Sequence, residues 1–441
     1  MRVLICPKYL VPVRPAGEVL VAHAVLFDQV SGTIESVGPQ RELAESHPDA
    51  ERVRLDHHVL LPGLVNMHTH SPMTLLRGLA DDLPLGRWLA DHIWPAEAQW
   101  ADGEFVAAGT RLALAAMIRG GTTCFNENYF FPDRIADEVS RAGLRAFIGL
   151  PVIAFKTRWA DNPKAYLERG AALAERYADH SLIRFAYAPH ALYSVPDEAL
   201  VEIGEQARRR DWRVHLHLLE SGPEIGESIE RHDLHPLEHA RKVGLLNERL
   251  IAVHMVQLTD ADVARVAASG AHVVHCPHSN LKLGNGICPV PELIAAGVNV
   301  SLGTDGAASN NALSLLSELK TAALLAKGHS GDATSLPATQ ADEMVTLNSA
   351  CALGLEDRLG TIEPGKQADL CAINLDDVRT QPVHDLFSLL VYAVSDNQVS
   401  DVWVAGRRLL ERGELTTLDE SRILDEASQW ERKLRQGVGN D

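Results

Sequence analysis

The chain has 441 residues, of which 46% are hydrophobic and 23% charged, and a formal net charge of −18. That length can bury a large core and is long for one compact domain. The acidic balance argues against a nucleic-acid backbone or an anionic membrane surface as partner and leaves neutral or cationic small molecules open.

The opening segment, MRVLICPKYLVPVRPAGEVL, is broken by Pro7, Pro12 and Pro15 and has no apolar core of signal-peptide type. No stretch is long and apolar enough to span a membrane, so a cytoplasmic location is expected. The cysteines at 6, 124, 276, 288, 351 and 371 form no Cys-x-x-Cys pair, the pattern of reduced thiols rather than of a disulfide frame or thiolate metal site. Residues 1–57 carry short alternating apolar segments with turn glycines, as in VLVAHAVLFDQVSGTIESVG, and read as β-hairpins.

From residue 58 to about 330, apolar runs alternate with amphipathic helical stretches. The runs are HVLLPGLVNMHTH, GTTCFNENYF, LRAFIGLPVIAF, LIRFAYAPHALYS, WRVHLHLLES, LIAVHMVQL, AHVVHCPHSN and NVSLGTDGAASN, eight candidate strands. Between them, VPDEALVEIGEQARRRD sets Leu200, Ile203 and Ala207 on one helical face. TDADVARVAASG offers Thr259 as N-cap and Gly270 as stop. Eight strands alternating with helices fit a TIM-type (β/α)8 barrel, an α/β fold. A doubly wound open sheet is the alternative, weakened because no G-x-G-x-x-G follows the first strand. Residues 360–415 return to hairpin patterning, and neither terminal part is large enough for its own core. The expectation is therefore a small β-sandwich built from 1–57 plus 360–441, with a barrel over 58–359. The tail DESRILDEASQWERKLRQGVGND reads as a charged helix, a solvated face or a packing arm.

With 20 histidines in the chain, about one His-x-His arises by chance, so His68-Thr69-His70 alone proves little. Its placement says more. In a barrel, catalytic groups come from the C-terminal ends of several strands. There stand His68 and His70, then His190, then His217 with Glu220, then His254 and Asp305. Side chains two apart on a strand share a face, so His68 and His70 can bind one ion. A strand-5 histidine, with His215 and His217 both on the inner face, and Asp305 would complete a nitrogen-rich site with an open position. Zinc suits such a set, and iron or manganese could also fit.

The order His-Thr-His, a strand-5 His, a strand-6 His and a strand-8 Asp resembles the amidohydrolase superfamily. PGLVNMHTHSPMTLLRGLADDLPLGRWL, HLHLLES, HCPHSNLKLGNG and GTDGAASNN resemble its 5-methylthioadenosine/S-adenosylhomocysteine deaminase branch. The resemblance covers essentially the whole chain and favours His217 over His215. It implies one metal ion on His68, His70, His217 and Asp305, since His190 stands where two-metal members place a lysine. It further implies that His254 orients or deprotonates a water, that Glu220 protonates a ring nitrogen, and that Asp305 moves a proton to departing ammonia. Glu97 would hold ribose hydroxyls and His190 would face the purine.

The implied substrates are 5-methylthioadenosine and adenosine, with S-adenosylhomocysteine ranked lower. Its carboxylate needs a cation, and Lys156 or Arg158 in AFKTRWADNPKAY is not cleanly matched. Relatives with the same metal set act on guanine, pterins, cytosine or triazines, which stand as alternatives. The resemblance also implies a homo-oligomer.

Overall fold

In the computed structural model, which describes residues 1–438, eight parallel strands pair in chain order. They are Leu64–Thr69, Thr122–Asn128, Arg145–Val152, Ile183–Pro189, Val214–Leu218, Leu250–His254, His272–His275 and Val300–Leu302, each inside one of the eight apolar runs. Their residues are almost all buried. One face looks into the barrel and the other under the helices, which is why the runs are continuous rather than alternating.

The first and eighth strands close the barrel through the Asn66 side chain and one backbone hydrogen bond rather than a ladder. Asn66 Nδ2 donates to Thr304 Oγ1 at 2.8 Å, Thr304 N–H to Asn66 Oδ1 at 3.0 Å, and Asp305 N–H to the His68 carbonyl at 2.9 Å. A Cβ on Gly303 would lie 2.7 Å from both the backbone nitrogen and Cβ of His68, so this close approach requires glycine. The closure selects the barrel over the open sheet.

The helices obey their sequence signals. Asp197–Arg210 buries Leu200, Ile203 and Ala207. Asp260–Ser269 starts at a Thr259–Asp262 capping box and stops at Gly270 with φ of 74°. Thr259→Ala is expected to cost about 1 kcal/mol of unfolding free energy, by chemical denaturation, because the helix start loses the hydroxyl that accepts from the Asp262 N–H and donates to the Asp262 carboxylate.

One expectation is corrected. The apolar run from residue 58 is two strands, not one. His58–Pro62 ends the long strand Glu51–Pro62, which pairs parallel with Arg2–Leu10 and antiparallel with Leu370–Asn374. The barrel begins at Leu64. Both pieces are buried on both faces, so apolar character cannot reveal the crossing. It occurs at Gly63, where a Cβ would stand 2.1 Å from the Thr123 side chain.

The other sheet has nine strands from both chain ends. It folds over on itself: Thr33 bridges Gln367, and Ile34 N–H donates to the Lys366 carbonyl at 2.8 Å. Between the layers lie Val25, Phe27, Ile34, Leu60, Leu370 and Trp403, a core neither end could build alone. The helix Glu420–Val438 packs on Gly103–Arg119 through Trp430, whose ring meets Phe105 edge-on at 5.3 Å, and through an Arg111–Glu426 ion pair. The expected end of this tail, 439–441, lies outside the described residues. Among the described residues, no helix is long and apolar enough to cross a membrane.

Candidate active site

The extended backbone of the first barrel strand turns His68 and His70 toward the same side. His68 is fully buried and shares a hydrogen bond of 2.9 Å between its Nδ1 and His215 Nε2. His215 therefore sits behind His68, while His217 reaches the open side. His217 Nδ1 donates to the His190 carbonyl at 2.6 Å, and His70 Nδ1 donates to the Asn128 carbonyl. With Nδ1 of both rings engaged by carbonyls, the Nε2 lone pairs point inward. They stand 3.3 Å apart.

Asp305 Oδ1 is 3.2 Å from His68 Nε2 and 3.3 Å from His70 Nε2. Its Oδ2 accepts from Ser279 Oγ at 2.6 Å and Ser309 Oγ at 2.9 Å, and its Oδ1 from Gly306 N–H at 2.7 Å. Asp305 has φ of 63° and His254 φ of 75°, left-handed conformations rarely adopted outside glycine and concentrated here at strand ends.

Electrostatics favour a cation. Burial pushes the imidazole of His68 down to about 4 and that of His217 well below its ordinary value, so both are neutral lone-pair donors at pH 7. Burial by itself would raise Asp305, but the surrounding His68, His70 and His254 hold it well below the carboxylate range. His68 Nε2 is buried with no hydrogen-bond partner. The ligand atoms of His68, His70 and His217 lie within 4.8 Å of one another, as do those of His68, His254 and Asp305. An orphaned nitrogen beside the neutral His68 and His217 rings and a carboxylate suits zinc.

A cavity of about 550 Å³ opens above this cluster. His70, Glu97, His190, His217, Glu220, His254 and Asp305 all border it, so every site residue expected from the sequence except the deeper His68 faces one space. Glu220 Oε1 accepts from Asn285 Nδ2 at 3.0 Å, and Oε2 lies 3.8 Å from His254 Nε2. Burial raises the Glu220 carboxyl. His254 Nδ1 is 2.9 Å from Asn280 Oδ1. An amide oxygen there requires the proton on Nδ1 and leaves Nε2 free as a base. Glu97 projects from the helix Trp94–Trp100, and burial raises its carboxyl to about 7 against the opposing Tyr129 hydroxyl. His190 bonds Ser194 Oγ at 2.8 Å, and burial pushes it down to about 4.

Other contributors went unassigned in the sequence. Asn280 and Asn285 stand inside HCPHSNLKLGNG, yet nothing in their spacing announces that they hold His254 and Glu220. Trp88, Ile93, Tyr129 and Phe155 form apolar walls. Met73 borders the cavity too. Lys156 and Arg158 reach its rim, where Lys156 pairs with Asp161 at 2.7 Å and Arg158 donates to the Gln99 carbonyl at 2.8 Å and lies 3.5 Å from Asp102.

Residues 59–409 match the amidohydrolase family. A Teredinibacter turnerae protein named 5-methylthioadenosine/S-adenosylhomocysteine deaminase is 46% identical over 420 residues, 94% of this chain and 95% of its own. A 5′-deoxyadenosine deaminase of Methanothermobacter thermautotrophicus is 43% identical over 371 residues, 83% of this chain and 85% of its own. The crystal structure of an adenosine deaminase from Xanthomonas campestris with bound zinc aligns with a TM-score of 0.95 at 46% identity, covering 98% of each chain.

Proposed function

The chain belongs to the amidohydrolase family, and from that membership we propose that it is a zinc-dependent hydrolytic deaminase of 6-aminopurine nucleosides. It converts 5-methylthioadenosine and adenosine to their 6-oxo analogues and ammonia. The observation that carries this reading is one cavity holding a carboxyl group raised by burial, Glu220, beside a free imidazole nitrogen, His254 Nε2, directly above the histidine–aspartate cluster.

His68, His70, His217 and Asp305 are the groups that would hold the ion, and a metal there makes a water nucleophilic near neutral pH. The chain's side chains do the rest. His254 Nε2 orients that water against the ring carbon bearing the amino group. Glu220, whose carboxyl is raised by burial, donates a proton to the adjacent ring nitrogen, so that charge does not build up in the purine as the carbon becomes tetrahedral. Asp305 takes one proton from the attacking water and delivers it to the amino group, which leaves as ammonia, and the other water proton returns to Glu220 as the 6-oxo group forms. His190, neutral, faces the purine edge. Glu97 accepts both ribose hydroxyls, and the walls of Trp88, Ile93 and Phe155 exclude water. S-adenosylhomocysteine ranks behind the smaller nucleosides, because its carboxylate has to take Lys156 from Asp161 or Arg158 from Asp102 and Gln99.

The test is ammonia release, followed with the ultraviolet change, from zinc-loaded protein given 5-methylthioadenosine, adenosine, S-adenosylhomocysteine and the free bases adenine and guanine. Turnover of the nucleosides supports the proposal. Release from the free bases alone overturns it.

Glu97→Ala is expected to raise KM for nucleosides about 10- to 100-fold, the worth of hydrogen bonds to a charged acceptor, and to leave free-base affinity unchanged. The carboxylate form of Glu97 develops as pH rises through about 7. Affinity for the ribosyl product inosine should therefore tighten across that range in the wild type and stay flat in Glu97→Ala. Product-inhibition constants between pH 6 and pH 8 measure both.

A further inference from the structure

Away from the strand ends, a second group of metal-ligating side chains collects where three helices meet. Asp197 opens the helix Asp197–Arg210, His232 is the last residue of Gly222–His232, and His239 lies in Pro236–Lys242. Their ligand atoms lie within 4.8 Å of one another, and none belongs to the strand-end cluster. His239 Nε2 is 2.8 Å and His232 Nδ1 3.8 Å from the same oxygen, Asp197 Oδ1. The two rings stack with centroids 3.9 Å apart.

As a hydrogen-bonded group this arrangement is incomplete. One imidazole occupies the carboxylate oxygen, the other is too far for a hydrogen bond, and the fully buried His239 has its Nδ1 without a partner. A void of about 10 Å³, close to the room one water needs, borders both imidazoles. Side chains of His232 and Asp197 are 23% and 34% exposed, which leaves a path from solvent.

We infer that Asp197, His232 and His239 form a second binding site for a first-row divalent cation, zinc above all, with water completing its coordination. In tetrahedral zinc, ligand atoms about 2.0–2.1 Å from the metal stand about 3.3 Å from each other. The separations of 2.8 and 3.8 Å from Asp197 Oδ1 straddle that value, and the two imidazole nitrogens lie within 4.8 Å of each other, so side-chain rotation is what binding requires. Burial and the neighbouring His239 ring hold His232 below its ordinary value, which keeps it a neutral donor. The ion would tie the two helices after the fifth strand to the one before it. The first of these carries Glu224, whose carboxylate accepts the N–H groups of Leu219 and Glu220 at 2.9 Å. The site thus braces the turn that presents Glu220 without touching the cavity's donors.

The test starts from enzyme already holding one zinc per chain. Zinc chloride is titrated in by calorimetry, and bound metal is counted by atomic emission after desalting. A second equivalent is expected, with a rise in Tm because the ion binds the native state alone. His232→Ala, at a partly exposed position that folding tolerates, is expected to keep the first zinc and lose both the second equivalent and the Tm rise. Asp197→Asn, which preserves the helix start, should do the same. Copper(II) added to the one-zinc enzyme should show nitrogen hyperfine coupling from two imidazoles in electron spin resonance. A wild type that stops at one equivalent, or second-equivalent uptake that survives in both variants, overturns the inference.

Discussion

Glu220→Gln is expected to lower kcat by about 10²- to 10⁴-fold, the range of one positioned general acid, with bound zinc unchanged. Glutamine keeps the shape and still accepts from Asn285 Nδ2, so the cavity and KM should be nearly preserved. What it lacks is a proton to release. An isolated purine gains basicity at the ring nitrogen only as the neighbouring carbon becomes tetrahedral, so the missing proton is felt in the transition state rather than in binding. The loss corresponds to about 3–5 kcal/mol of barrier. Steady-state turnover of 5-methylthioadenosine, with metal content by atomic emission, measures it. A fall below tenfold at full zinc occupancy would remove Glu220 from the proton path and leave His254 and Asp305 to carry it.

Asp369→Ala is expected to cost about 3–5 kcal/mol of unfolding free energy, because it leaves a buried guanidinium unpaired. Arg145 Nε and Nη2 donate to Asp369 at 2.8 and 3.0 Å, and both side chains are only 4% exposed. Asp369 also accepts the Ala405 N–H at 2.7 Å. The pair pins the start of the third barrel strand to the terminal sheet just before Leu370–Asn374. Removing both charges together, as in Arg145→Met with Asp369→Leu, should recover a large part of the loss, since a matched apolar pair carries no desolvation penalty. Denaturant midpoints of the two variants decide the matter. A single variant within about 1 kcal/mol of wild type would mean that water reaches Arg145.

Much of the barrel was legible because burial writes itself into the sequence. A parallel strand covered on both faces must be apolar throughout, and a helix must show its inner stripe, so the eight runs and helices such as Asp197–Arg210 stand out. The same logic places polar residues at strand ends, which is why His68, His70, His190, His217, Glu220, His254 and Asp305 stand together in the sequence pattern. Residue spacing left His215 and His217 equivalent, because both share the inner face. Their separation in depth, with His215 against His68 and His217 at the cavity, depends on the stagger of neighbouring strands.

Periodicity reports how deeply a residue is buried but not what it meets. From sequence alone came the alternation of strands and helices, the caps at Thr259 and Gly270, the composite terminal sheet and the resemblance of its motifs to one deaminase branch. The tertiary structure alone decided that residues 58–62 belong to the other sheet, that Asn280 and Asn285 hold His254 and Glu220, and that Trp88, Tyr129 and Phe155 wall the cavity. It also joined Asp197 to His232 and His239. These are contacts between segments distant along the chain, set by strand stagger and helix packing, and no local spacing encodes them.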